Sequence, residues 1–201
     1  YGLDYERGFF SSELASAMPQ DSYTYYCCYP RPLSVSGTDA VFNIPARQDG
    51  KVRGGADIMI ATPAAYGALA PVPDPEDHSG LSMTMNRMMH QFRFYVPASD
   101  TKLQGEAVER IKLTFPNEVV GNVTLDLADP SQKAVLSEGS ASIDLRLAEP
   151  ITLAAQNYAC VAFCPTAFEA GKSLEVRAYT SDKIVVVDPI DLCARDFQAG
   201  H

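Results

Sequence analysis

Histidine and cysteine are the residues of this chain that could carry nucleophilic chemistry. Of the three His, His78 lies in an acidic stretch, His90 lies within a predicted strand and His201 is the last residue. A nucleophile needs a nearby general base and a third group that orients the base. No Gly-x-Ser-x-Gly motif occurs, and nothing around His90 supplies such an arrangement, although a Cys–His dyad that uses His90 stays open. We therefore expect that the protein is not an enzyme and that His90 has a packing or hydrogen-bonding role.

A metal site has one candidate stretch, which holds Asp74, Glu76, Asp77 and His78. Closely spaced carboxylates could hold Ca²⁺, but the spacing does not match an EF-hand loop and the prolines stiffen the segment. A solvated acidic loop is the favoured interpretation. The glycine-containing stretch 50–55 fits neither a P-loop nor a dinucleotide fingerprint, so we expect no cofactor.

Five cysteines do not form a metal-binding pattern. Cys27 and Cys28 are adjacent, and neighbours in a strand point to opposite faces. Cys160 and Cys164 lie about 13 Å apart if they share a strand, too far for a mutual disulfide. Buried small hydrophobic residues are the favoured interpretation, because free Cys is commonly buried. A cross-strand disulfide such as Cys27 to Cys160 stays open.

Composition excludes several classes of protein. A formal net charge of −9 argues against a nucleic-acid or anionic-membrane surface. No apolar run approaches the length of a transmembrane helix. The chain opens with Tyr-Gly-Leu-Asp and not with a leader sequence, which fits a cytoplasmic protein or a trimmed exported one. Ten Tyr, 14 Pro and many Ser and Thr favour an extracellular β protein.

The central stretch Leu81–Val96 predicts two strand pieces that disagree about which face is inside. Apolar residues occupy odd positions up to Met85 and even positions from Phe92. Because side chains alternate along a strand, the parity must be reset between Asn86 and His90 by a bulge or a short turn.

Around ten short alternating segments, separated by Gly and Pro, indicate an all-β sandwich or barrel. The apolar run 157–164 predicts a strand covered on both faces. A tight turn at Ser181-Asp182 predicts a hairpin between 173–180 and 183–187. The predicted strands are 22–31, 41–44, 57–61, the two pieces of 81–96, 108–115, 122–127, 141–147, 157–164, 173–180 and 183–187, and the longest predicted loop is 63–80.

Four segments of the chain stand out by their order and spacing. They are Tyr23–Pro30 (YTYYCCYP), Phe42-Asn43-Ile44-Pro45 with Gln48, Ala56–Ala61 (ADIMIA), and Leu81–Val96 followed by Leu103-x-Gly-x-x-Val-x-x-Ile-x-Leu. In this order they resemble strands of the Bacteroidetes fimbrillin superfamily, in particular its Mfa-like branch of major-fimbrillin-like surface pilin proteins. The resemblance covers nearly all of 21–196.

The resemblance implies a transthyretin-like β-sandwich of about seven to ten short, mainly antiparallel strands, exported to the cell surface, outer membrane or fimbrium. Its domain plan would be a lead segment 1–20, a β-sandwich 21–196, and the start of a following, absent domain at 197–201. The lipidated Cys and leader of the family are expected outside this chain.

The resemblance also implies a structural function as fimbrial subunit, tip or anchor. In polymerising members a protease cuts after an Arg, and a donor strand from the next subunit adds to the exposed sheet edge. Arg7 is the Arg placed for such a cut. Expected partners are other fimbrial subunits, with a host or bacterial surface ligand as a further partner. The alternative is a surface adhesin or glycan-binding β-sandwich module, in which Tyr66 and the Tyr-rich faces stack on sugars.

Overall fold

The computed structural model describes residues 17–51, 56–69, 81–97, 99, 102–192 and 196–200. In this part of the chain the fold is all-β, as predicted, with eighteen strands and no α-helix. No helix here is long and apolar enough to cross a membrane. The strands are β1 (Ser22–Tyr25), β2 (Cys28–Tyr29), β3 (Ser34–Ser36), β4 (Asp39–Ile44), β5 (Arg47–Gln48), β6 (Met59–Ala61), β7 (Ala64–Gly67), β8 (Met85–Arg87), β9 (His90–Phe94), β10 (Ala107–Thr114), β11 (Val120–Asp126), β12 (Val135–Ser140), β13 (Ser142–Thr152), β14 (Ala159–Phe163), β15 (Thr166–Ala167), β16 (Ser173–Tyr179), β17 (Ile184–Asp191) and β18 (Asp196–Phe197).

A five-stranded sheet in the order β17-β16-β10-β13-β5 forms one layer of the fold. Its pairings are antiparallel except that of β13 with the two-residue β5. β10 alternates as predicted, with Ile111 and Leu113 fully buried and Lys112 on the other face. Leu113 lies opposite Ile143 of β13 and Val176 of β16, so the buried side chains form cross-strand rows.

A four-stranded antiparallel sheet in the order β12-β11-β4-β3 forms the facing layer. Phe42 of β4 lies opposite Val123 of β11, and both side chains are buried. Inner side chains from the two sheets belong to one contiguous hydrophobic core. This arrangement confirms the β-sandwich.

Within 81–96 the alternation of buried and exposed side chains is reset in the segment predicted from the sequence. β8 ends at Arg87 and β9 begins at His90, and the two residues between them, Met88 and Met89, are both buried. β8 pairs with β6, whereas β9 pairs with β14. The predicted reset between Asn86 and His90 is therefore confirmed, and it moves the chain from one sheet to another.

The predicted continuous strand over 22–31 is wrong. Tyr26 and Cys27 interrupt it, so that β1 pairs with β7 and β2 pairs with β6. β7 itself (Ala64–Gly67) lies inside the predicted loop 63–80. Its Ala-Ala-Tyr-Gly sequence has little intrinsic strand preference, and pairing with β1 forms the strand.

The hairpin of β16 and β17 is confirmed, since Tyr179 lies opposite Ile184 across the turn at 181–182. The apolar run near β14 is also covered on both faces as predicted, with Ala159, Val161, Ala162 and Phe163 fully buried.

The cysteines that the structure describes, Cys27, Cys28, Cys160 and Cys164, are free thiols, so no Cys27–Cys160 disulfide forms. Cys164 is buried, and burial raises its pKa to about 11. That thiol therefore acts as a small core residue, as predicted, because only the thiolate is nucleophilic.

The last strand, β18, packs against this same domain. It pairs with β15, and the Phe197 ring lies 4.9 Å from the His90 ring and 5.1 Å from the Phe92 ring, centroid to centroid. Gly200 N donates to the Met89 carbonyl at 3.2 Å. The predicted boundary at 197 stays a prediction, but the segment 196–200 contributes to this core.

Candidate assembly edge

The residues singled out from the sequence for processing and for metal binding fall outside the described part of the chain. These are Arg7, Asp74, Glu76 and Asp77, and each stays a prediction. Among the described residues, no group of three or more His, Cys, Asp or Glu is placed to hold a metal ion.

His90 lies where a packing role was expected. Its ring contacts Phe163 at 5.1 Å and Phe92 at 5.3 Å between centroids. Its Nδ1 lies 2.8 Å from the carbonyl oxygen of Gln198. The His90 ring therefore holds the segment 196–200 in contact with β9.

β17 is the most exposed long strand at a sheet edge. It lies at the end of the five-stranded sheet, with β16 as its partner on one side. Its side chains alternate: Val185 and Val187 pack against the core, whereas Ile184 is 62% and Val186 61% exposed. Exposed aliphatic side chains on a strand of eight residues are what natural proteins usually avoid at an edge.

At Ile184 and Val186 the main-chain N–H and C=O groups also point away from the sheet. Thr180 N donates to the Lys183 carbonyl at 3.0 Å, which makes this a hydrogen-bonded pair. Pair types alternate along an antiparallel ladder. It follows that the main-chain N–H and C=O groups of Val185 and Val187 form hydrogen bonds with β16. Those of Ile184 and Val186 face outward.

Two features hold the start of β17 in place. The Thr180 hydroxyl bonds the Asp182 carboxylate at 3.0 Å, and Lys183 N donates to that hydroxyl at 3.2 Å. The Lys183 ammonium forms an ion pair with Glu106, which precedes β10. The open edge is therefore presented by a fixed hairpin.

The far end of β17 is shaped differently. Leu174 lies opposite Ile190 but Val176 lies opposite Val187, so β17 bulges at Asp188 and Pro189. Proline lacks an N–H and is confined to edges and bulges in sheets. The pairing surface is thus limited to the first half of the strand, around Ile184 and Val186.

The facing sheet has shorter or less regular edges. β3 is three residues long, with Val35 55% exposed beside Leu33 at 66%. β12 carries Val135, 63% exposed, and its pairing with β11 shifts register near Gly121. β17 therefore offers the longest regular open edge among the described strands of the two main sheets.

A tyrosine-rich surface lies on the two-stranded ribbon of β1 and β7. Tyr23 lies directly opposite Tyr66, which is 47% exposed. The Tyr25 hydroxyl donates to the Gly67 carbonyl at 2.9 Å, and the Tyr23 and Tyr25 rings lie 6.2 Å apart between centroids. The structure thus brings together tyrosines that are candidates for stacking on sugars.

The exposure of β17 was missed from the sequence, although the strand itself was predicted. Its Ile-Val-Val-Val run is typical of a buried strand. A signal was present in Asp188-Pro189, because proline inside a strand pattern indicates an edge.

No protein-family model and no curated protein matches the chain. Among solved structures, a candidate cell adhesion protein from Bacteroides ovatus shares the fold, with a TM-score of 0.58 and 11% sequence identity over 94% of this chain. The chain spans 65% of the length of that protein's chain. At this identity the likeness establishes the fold, and membership of the fimbrillin superfamily stays a prediction.

Proposed function

We propose that the protein is a cell-surface structural protein, a fimbrial subunit, tip or anchor, that binds its neighbours by β-strand addition at the outer edge of β17. The observation that carries the proposal is the coincidence, at Ile184 and Val186, of outward main-chain groups with exposed aliphatic side chains. An added strand would hydrogen-bond the main chain and cover those side chains, and this is the usual source of affinity in strand addition.

The shared fold with a Bacteroides ovatus candidate cell adhesion protein supports a surface role. Export to the outer membrane or fimbrium, and the lipoprotein anchor of the family, belong to the same proposal. The proposal assigns no catalytic reaction to the chain. Arg7 is the proposed processing site, whose cleavage would release the segment before it.

Hydrogen exchange on the assembled protein tests the edge. Assembly should slow exchange of the Ile184 and Val186 amides, because an added strand protects outward N–H groups. The Val185 and Val187 amides, already bonded within the sheet, serve as internal references. Unchanged exchange at Ile184 and Val186 in an assembled sample would exclude this edge.

A charge placed on the edge gives an independent test. Val186→Lys should weaken subunit assembly, since lysine on an edge strand opposes strand addition. Val135→Lys is the matched control, because Val135 is similarly exposed, at 63% against 61%, on an edge strand of the facing sheet. Equal effects of the two substitutions would contradict a specific role of β17.

A second candidate function is glycan binding at the ribbon of β1 and β7. The observation that favours it is the cross-strand Tyr23–Tyr66 pair beside Tyr25. Aromatic side chains combine an apolar body with a polar hydroxyl. A glycan array should then show binding that Tyr66→Ala removes and Val186→Lys leaves intact. An array without binding excludes this function.

A further inference from the structure

The centre of the outer face of the five-stranded sheet concentrates positive charge on an otherwise acidic protein. The inward residues of β10, β13 and β16 are buried, so the residues between them project outward. The exposed carboxylates Glu109 and Glu149 lie at the register shift between β10 and β13, and Asp188 and Asp191 lie at the far end of β17. The regularly paired centre of the face contains two carboxylates, Asp144 and Glu175, and five cations. We call these cations the cationic face; they are Arg47, Arg110, Lys112, Arg146 and Arg177.

Like charges lie directly opposite one another on this face. Lys112 of β10 is the cross-strand neighbour of Arg177, and Arg110 is the cross-strand neighbour of Arg146. Asp144 partly compensates by forming ion pairs with both Arg110 and Arg146. Directly opposed like charges destabilise a sheet, so an external anionic surface would relieve this repulsion.

The outer face of the four-stranded sheet has the opposite character. Its four strands contain no Lys or Arg. Asp39 of β4 lies directly opposite Asp126 of β11, which is again a pair of like charges. Glu138 adds a third carboxylate, which accepts a hydrogen bond from the Asn122 amide at 2.7 Å. We call Asp39, Asp126 and Glu138 the acidic face.

We propose that the cationic face of one copy binds the acidic face of a second copy. The two faces are the outer surfaces of the two layers of the sandwich, so they point in opposite directions. A contact between unlike surfaces is heterologous and leaves both free faces available for the next copy. Stacking would thus extend copies into an open row, and sheets pack face to face readily in this way.

The expected contact is weak for a single pair of copies. Four strands spaced about 4.8 Å apart, with about six residues at about 3.3 Å each, give a face of roughly 400 Å². Two such faces bury roughly 800 Å², which is below the ~1,000 Å² expected of a stable pairwise interface. Repetition along a row would supply the remaining affinity.

This inference rests on the proposed structural role but uses a different surface from β17, so the two fail separately. The edge proposal depends on main-chain amides and Val186. The face proposal depends on charges and on salt.

Sedimentation of the purified chain at high concentration tests the face contact. Association should weaken at least about tenfold from low to high salt, because the Debye length falls from about 30 Å at 0.01 M to about 3 Å at 1 M ionic strength. Association that is absent at low salt, or that strengthens with salt, overturns the proposal.

Charge reversal on either face gives the decisive comparison. The pair Lys112→Glu with Arg177→Glu makes the first face acidic, and the pair Asp39→Lys with Asp126→Lys makes the second face basic. Each variant alone should fail to associate, whereas a mixture of the two should associate, because every contact in the mixture joins unlike charges.

Circular dichroism and thermal unfolding show whether each variant is folded, and association of the mixture shows it independently. A single-face variant that still associates as the unmodified chain does overturns the proposal, and so does a mixture of folded variants that stays monomeric. Val186→Lys in the unmodified background should leave the salt dependence in place, which separates the face contact from strand addition.

Discussion

The side-chain amide of Gln48 forms two hydrogen bonds with the main chain of Ala162. Gln48 Oε1 accepts from Ala162 N at 3.0 Å, and Gln48 Nε2 donates to the Ala162 carbonyl at 2.7 Å. Gln48 is the buried polar residue of the described core, at 8% exposure. It joins β5, at the end of the five-stranded sheet, to β14, which pairs with β9 on its other side. The side-chain amide thus takes the place of the main-chain N–H and C=O groups that a neighbouring strand would offer to Ala162.

Replacing this amide should destabilise the protein. Gln48→Met keeps the shape but leaves the buried N–H and C=O of Ala162 without their partner, and each unsatisfied group costs about 1–3 kcal/mol. We expect the free energy of unfolding in urea to fall by about 2–4 kcal/mol. Gln156→Met, at an exposed turn residue, is the control and should change it little. Equal stabilities of the two variants would contradict a bridging role for Gln48.

Gly121 should tolerate no side chain. Its φ is +144°, and a Cβ there would lie 2.8 Å from the Glu138 carbonyl oxygen and 2.9 Å from Gly139 Cα. Gly121→Ala should therefore cost about 2 kcal/mol or more, because both the backbone conformation and the contact are strained. Gly67→Ala is the control, since a Cβ at Gly67 meets nothing within 4 Å. Thermal unfolding of the two variants gives the comparison, and equal midpoints would contradict the close approach of β12.

Phe197 should contribute to the stability of this domain. Its ring is 8% exposed and lies 5.6 Å from Phe168 as well as against His90 and Phe92. Removing a buried Phe side chain costs about 3–5 kcal/mol in a core, so Phe197→Ala should lower the free energy of unfolding by about 3 kcal/mol. Tyr95→Ala, which removes a ring that is 57% exposed, is the matched control. An unchanged free energy for Phe197→Ala would show that 196–200 is not part of this core.

Asp144 should make stability depend on pH on the acid side. Partial burial raises the pKa of Asp144, but hydrogen bonds and ion pairs with Arg110 and Arg146 outweigh burial and lower the pKa below its usual value. A depressed folded-state pKa means that the stabilisation is present above the unfolded pKa of about 3.9 and is lost as pH falls through the folded value.

Asp144→Asn should therefore flatten the loss of stability below about pH 4, relative to the unmodified chain. Urea unfolding between pH 6 and pH 2 measures both profiles. Asp188→Asn, which removes an exposed carboxylate of β17, is the control for the loss of one negative charge. Parallel profiles for Asp144→Asn and the unmodified chain would contradict the role of the two arginines.

The local alternation of apolar and polar residues was sufficient to predict the strands that bury one face. β10, β11 and β16 alternate over six residues or more, and their buried sets match those predicted. The parity change within 81–96 was also readable, because apolar residues occupy odd positions up to Met85 and even positions from Phe92. Short strands such as β7 were not readable, since their partners and not their own residues stabilise them.

The sequence by itself therefore determined the all-β class, the inner and outer faces of β10, β11, β13 and β16, and the β16–β17 hairpin. The tertiary structure decided which strands are neighbours. That choice buries Gln48 beside Ala162, leaves Ile184 and Val186 at an open edge, and places Lys112 opposite Arg177. The physical reason is that alternation is local to a strand, whereas pairing depends on residues far apart in the chain. The candidate assembly edge and the two charged faces arise from that pairing.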